Sequence, residues 1–146
     1  RFGQNLERNT QKGVTNMGKR ALEPASVKAR GSYSPGWEVS GGRLIYVAGQ
    51  VPADAEGRTV ARGDVVGQTR QVLENIRAVL AEAGATPADV IKITIFSTDI
   101  RNRDAINKAR GEFFKPPYPA STQVGVAALA DPDFLVEIEA VAFIPA

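Results

Sequence analysis

Apolar and polar positions change period several times along this chain, and each change marks an element. From Trp37 apolar residues crowd together: Trp37-Glu38-Val39, then Ser40-Gly41-Gly42, then Leu44-Ile45-Tyr46-Val47-Ala48 ending at Gly49-Gln50. Two strand-like runs around Gly-Gly predict a hairpin, because glycine reaches positive φ without a Cβ clash. Residues 51–63, VPADAEGRTVARG, are rich in turn formers and predict a loop with a short edge strand around Arg58 to Ala61. The period then lengthens. Val65, Thr69, Val72, Leu73, Ile76, Val79, Leu80 and Ala83 recur at steps of three and four, predicting a helix with one apolar stripe, capped by Asp64 and ended by Gly84, with Gln68, Gln71, Glu74, Asn75 and Arg77 mostly on the wet side.

The densest β-branched run, Val90 to Asp99, follows Thr86-Pro87 and reads as the central strand. Ile91, Ile93, Ile95 and Ser97 face one way; Val90, Lys92, Thr94, Phe96 and Thr98 face the other. A second helix is predicted from Arg103 to Phe114, with Ile106, Ala109, Arg110 and Phe113 on overlapping stripes, and Lys115-Pro116-Pro117-Tyr118-Pro119 stops it. Thr122, Val124 and Val126 then alternate with Ser121, Gln123 and Gly125, giving a strand with an apolar and a polar side. After the Asp131-Pro132-Asp133 turn the last strand runs from Phe134 to Ile144. Its even positions are all apolar, and Glu137 and Glu139 share the opposite face. Two such carboxylates repel, so at least one is expected to be paired, or raised in pKa if buried, unless both are solvated.

Strands, helix, strand, helix, strands is an α+β order with both helices on one face of a mixed sheet. The other face then needs cover, and further subunits are the expected cover. With 146 residues, 43% of them hydrophobic, residues 31–146 suffice for one domain and leave no room for a second. Residues 1–30 are polar and aperiodic and are expected to be an extended or disordered arm. Met17, the only methionine, is a candidate natural start; an arm that packs on a neighbouring subunit is the competing possibility.

Composition narrows the chemistry. There are no cysteines and no histidines, which removes disulfides, thiolate metal sites, a thiol nucleophile and the commonest general base. Chemistry must come from Asp, Glu, Lys, Arg, Tyr, Ser, Thr, backbone groups or bound water. Net charge is +2, and the basic surplus lies in residues 1–30, where Arg1, Arg8, Lys12, Lys19, Arg20, Lys28 and Arg30 face only Glu7 and Glu23; a nucleic-acid partner is not expected. No stretch approaches the length of a membrane span and the start has no apolar signal region, so a soluble, cytoplasmic protein with no membrane partner is expected.

The ordered set Gly49-Gln50-Val51-Pro52, Gln68-Thr69, Leu73-Glu74-Asn75-Ile76, Leu80-Ala81-Glu82-Ala83-Gly84, Asp89-Val90-Ile91-Lys92, Ile106-Asn107, Glu112-Phe113-Phe114, Pro119-Ala120, Val126-Ala127-Ala128-Leu129 and Glu137-Ile138-Glu139-Ala140-Val141-Ala142 resembles the Rid (reactive intermediate deaminase, YjgF-like) family over about residues 31–144. The resemblance implies a chorismate-mutase-like α+β fold, a homotrimer with clefts between subunits, and hydrolysis of enamines or imines to ammonia and a keto product without metal or organic cofactor. It implies that Glu137 is the carboxylate that handles water, and that Tyr33, Gly49 and Asn107 line the cleft. Ser121 departs from the pattern, because archetypal members read Pro-Ala-Arg where this chain reads Pro119-Ala120-Ser121-Thr122. That arginine grips the substrate carboxylate as a bidentate fork, which one neutral hydroxyl cannot reproduce.

Three outcomes follow for the cleft. Another cation, Arg110, Lys115 or Arg62, takes over, against the simpler expectation that these are solvated surface charges. Alternatively Ser121 and Thr122 serve a different skeleton, such as an aminomuconate-like enamine. The third is a trimer that binds a small molecule without turning it over, and an RNA-cleaving or translation-inhibiting role ranks last.

Overall fold

The computed structural model describes residues 18–27 and 29–146. Helix α1 spans Val65–Glu82, where the periodicity places it. The Asp64 carboxylate accepts the N–H groups of Val66 and Gly67 at 3.1 Å each, satisfying donors that a helix start otherwise leaves open. At the other end Gly84 takes a φ of +71°, which glycine reaches without strain.

The buried stripe of α1 differs from the predicted one at two places. Val79 is exposed, whereas Gln68, expected on the wet side, is fully buried. Its amide explains the inversion. Gln68 Nε2 donates to Asp133 O at 2.8 Å and Oε1 accepts from Leu135 N at 2.8 Å, so the helix clips the lead-in of the last strand. Removing that amide would strand two backbone groups at about 1–3 kcal/mol each.

Strands β3 (Gly42–Gln50), β4 (Val90–Ser97), β5 (Ala120–Gly125) and β6 (Val136–Pro145) form one sheet in the order β3-β6-β4-β5. β6 is antiparallel to both neighbours, while β4 and β5 are parallel and joined by a crossover through α2 (Arg103–Phe113). Both helices cover the same face. Ile93 and Ile95 of β4, Val136, Ile138, Ala140 and Ala142 of β6, and Val72, Leu73, Ile76, Leu80 and Ile106 of the helices make the core. Val90 joins this core although parity put it on the opposite face, because the β4–β6 register slips between Val90 and Lys92.

Two further expectations are corrected. β2 (Gly36–Ser40) does not form a hairpin with β3; it pairs with β1 (Gly18–Leu22) as a separate two-stranded sheet. Gly41, at φ +60°, carries the chain from one sheet to the other, and a Cβ on Gly42 would collide with the Ile144 carbonyl and the Phe143 ring. Part of the expected arm, residues 18–22, is therefore a strand, while Met17 and the rest of residues 1–17 lie outside the described residues. The edge strand near Arg58 shrinks to a single bridge between Ala53 and Thr59.

The second sheet face carries Tyr46 at 75% exposure, with Leu44 and Val124 also open. Among the described residues no helix covers that face. Among the described residues, no helix is long and apolar enough to cross a membrane.

Candidate active site

Two clusters of candidate functional side chains lie on different sides of the sheet. The first surrounds a cavity of about 190 Å³ at the β5 edge, lined by Gly31, Tyr33, Arg103, Asn107, Arg110, Ser121 and Gln123. Local structure explains why they meet. Arg103, Asn107 and Arg110 are spaced by four and three residues, so they share one face of α2. Ser121 and Gln123 are alternate residues of β5, in register with Ile93 and Ile95, so they point to the helix side. This strand turns its polar side inward and leaves Val124 exposed, the reverse of the usual burial. Tyr33 arrives on a loop held by its neighbours. Ser34 N donates to Pro119 O at 3.2 Å, Tyr33 N to Gly31 O at 2.9 Å, and Arg30 N to the Tyr33 hydroxyl at 3.2 Å.

Arg110 dominates this cluster. It is only 4% exposed, which overturns the expectation of a solvated surface charge. Nη1 donates to Ser121 Oγ at 2.5 Å and Nη2 to Ser32 O at 3.1 Å, while Nε is enclosed and has no partner among the described residues. Among the described residues no carboxylate forms an ion pair with it. Burial lowers its pKa below the usual guanidinium range, the charge of Arg103 lowers it further, and Tyr118 opposes both. Arginine nevertheless stays charged at neutral pH. Gln123 Nε2 is likewise enclosed without a partner.

The other two cations considered from sequence are elsewhere. Arg62 pairs with Asp133 at 3.0 Å, and Lys115 is exposed, reaching only Gly111 O at 3.4 Å.

The second cluster occupies the open sheet face. The β3–β6 ladder slips between Val47 and Gln50, and the bulge lays Gly49 against Glu137. The approach is so close that a Cβ on Gly49 would be driven into Glu137 Oε1. Glu137 is half-buried and has no ion pair among the described residues, whereas Glu139 is exposed. Thr122 belongs here too, since alternation turns it away from Ser121: its Oγ1 accepts from Lys92 Nζ at 2.9 Å. Burial lowers the Lys92 pKa, with the negative charge of Glu139 opposing.

The structure thus brings Tyr33, Asn107 and Ser121 together, and Gly49 with Glu137, but it does not place the two groups in one cavity. Sequence reasoning missed Gly31, Arg103 and Gln123. The spacing of Arg103 with Asn107 and the alternation of Gln123 with Ser121 carried the signal for two of them. A larger groove of about 300 Å³ between the helices makes no comparable demand for a ligand. Its Arg70 pairs with Glu112 at 3.1 Å, and its Arg77 pairs with Glu74 at 3.2 Å and stacks on Phe113. Among the described residues no group of three or more Asp and Glu could hold a metal ion.

Comparison with known proteins agrees with this architecture. The family model described as endoribonuclease L-PSP matches residues 23–144. A RutC family protein of Pyrococcus abyssi is 40% identical over 116 residues, covering 80% of this chain and 89% of the relative. A Rid-family protein of unknown function from Yersinia pestis superposes with a TM-score of 0.81 at 38% identity, over 88% of this chain and 100% of that one. Escherichia coli TdcF, solved with bound serine, superposes with a TM-score of 0.64 at 36% identity, over 86% of this chain and 94% of that one. With its mixed sheet, its two helices on one face and this match over nearly the whole described domain, the chain belongs to the endoribonuclease L-PSP family, the Rid or YjgF-like proteins.

Proposed function

We propose that this protein is a hydrolytic deaminase of a small enamine or imine, acting in clefts formed where copies of the chain meet, three to an assembly. The observation that carries this reading is the Glu137 carboxylate, seated beneath Gly49 on a sheet face that the described residues leave without helical cover. A second copy packed on that face would bring its own Tyr33, Asn107 and Ser121 opposite Glu137. The bound serine in Escherichia coli TdcF supports a ligand of amino-acid size in that relative.

The chemistry needs little. Glu137 takes a proton from water as the water oxygen bonds to the C=N carbon, and then delivers that proton to the nitrogen as the C=N π bond opens. The C–N bond of the carbinolamine then breaks as its hydroxyl proton passes through Glu137 to the departing nitrogen, so that the C=O bond forms and ammonia leaves. Positioning one water and one proton carrier beside an already reactive bond is sufficient. An RNA-cleaving role fits less well, because the chain has no histidine and the cavity is of small-molecule size.

The test is ammonia release from imines generated in situ from several amino acids, and from aminomuconate. Acceleration over buffer is expected for at least one substrate, and no acceleration for any of them overturns the proposal.

A further inference from the structure

Both buried side-chain donors without a partner among the described residues, Arg110 Nε and Gln123 Nε2, belong to residues that line the same cavity. That coincidence calls for an explanation, since buried polar groups are ordinarily satisfied. The walls add the guanidinium of Arg103 and no acidic residue. Arg103 is itself half-exposed and touches Asp104 at 3.3 Å, so it supplies a second, partly neutralised positive charge.

A guanidinium has five N–H donors, and the protein occupies one on each terminal nitrogen of Arg110. One N–H on each terminal nitrogen is left over for a ligand, and a guanidinium is the group that grips a carboxylate with paired bonds. Ser121 Oγ and Ser32 O are neutral acceptors. They orient the fork without cancelling its charge, and a buried charge without a counter-ion is a costly arrangement to keep.

We propose that Arg110 is the anion-binding residue of this cavity, holding a carboxylate group of the ligand from helix α2. Ser121 then has a positive reason to be small. At 2.5 Å from Arg110, a long cationic side chain at position 121 would contest the same space and repel it. Serine at 121 and arginine at 110 are one arrangement, in which the positive fork comes from the helix and the strand supplies the hydroxyl that aims it. The ligand class is therefore a small carboxylate, which for the deaminase reading means an imine or enamine bearing an acid group. The inference rests on that reading only for the imine; anion binding stands or falls separately.

The experiment compares binding of 2-oxobutanoate with that of its uncharged amide, by calorimetry, to the wild-type protein and to the Arg110→Lys and Arg110→Met variants. The acid should bind wild-type protein at least about tenfold more tightly than the amide. Arg110→Met should abolish that preference, and Arg110→Lys should keep part of it, because charge survives where the fork does not. A residue that only ties α2 to β5 would change unfolding temperature and leave the acid-to-amide ratio alone. Should Arg110→Met fail to fold, the wild-type ratio and Arg110→Lys still decide. Equal binding of acid and amide, or no binding of either, overturns the proposal. Ammonia release without acid preference would remove the Arg110 assignment and keep the deaminase, whereas acid preference without ammonia release would do the reverse.

Discussion

Replacing Glu137 with glutamine is expected to lower ammonia release from the best imine substrate by about two to four orders of magnitude. The substitution keeps the shape and one acceptor oxygen but removes the carboxylate that takes a proton from water in the proposed reaction. Glu137 has no ion pair among the described residues and is only half-buried, so its loss leaves no stranded partner. Unfolding temperature should therefore stay close to wild type, the ordinary outcome for a surface change of about 0.5 kcal/mol or less. Steady-state ammonia assays beside thermal unfolding check both halves. A rate within about threefold of wild type, far short of what losing a general base does, would place the proton carrier elsewhere.

Gly49→Ala is expected to reach nearly the same end by displacement. The added Cβ meets Glu137 Oε1 first, then Cδ at 2.9 Å and Cγ at 3.1 Å. The far end of a flexible side chain yields more readily than backbone, so the carboxylate swings aside and the sheet stays. A misplacement of roughly 1 Å in a reacting group can cost on the order of a hundredfold in rate, and a loss of that size is predicted with the fold intact. Assay and circular dichroism together distinguish this from unfolding. Unchanged turnover in a folded Gly49→Ala protein would mean that the Glu137 position observed here is not the working one.

Much of the fold was legible because local signals agreed with the global arrangement. Asp64 and Gly84 bounded α1, the prolines after Lys115 stopped α2, and the even positions of β6 named its core face. What failed had tertiary causes. The Gly-Gly turn fits a hairpin, yet β2 finds its partner in β1, in a stretch whose composition gave no strand signal. Gln68 is polar by type and buried by virtue of two backbone groups 65 and 67 residues away. Alternation cannot reveal a bulge, so Val90 was assigned to the wrong face.

The candidate site divides the same way. Position within the family pattern pointed to Glu137, Gly49, Asn107 and Ser121 as candidates, and to Ser121 as a departure from it. It could not show that Arg110, eleven residues upstream, reaches Ser121, because a helix and a parallel strand must be packed together before the two touch. An arginine on a helix with this many polar neighbours reads as solvated until its burial is known. Ser121 and Thr122 are both expected to serve the ligand, yet strand alternation turns them to opposite faces of the sheet.

The division of functional groups between two faces of one chain leads to subunit complementation. Glu137→Gln and Arg110→Met proteins, each inactive alone, are co-expressed with distinguishable tags, and the mixed assemblies are purified through both. If Glu137 of one copy serves the cavity of the next, each mixed assembly of three keeps about one cleft in three with both groups intact, and ammonia release should return to about a third of wild type. Mixed assemblies that form and remain inactive would contradict a cleft shared between copies.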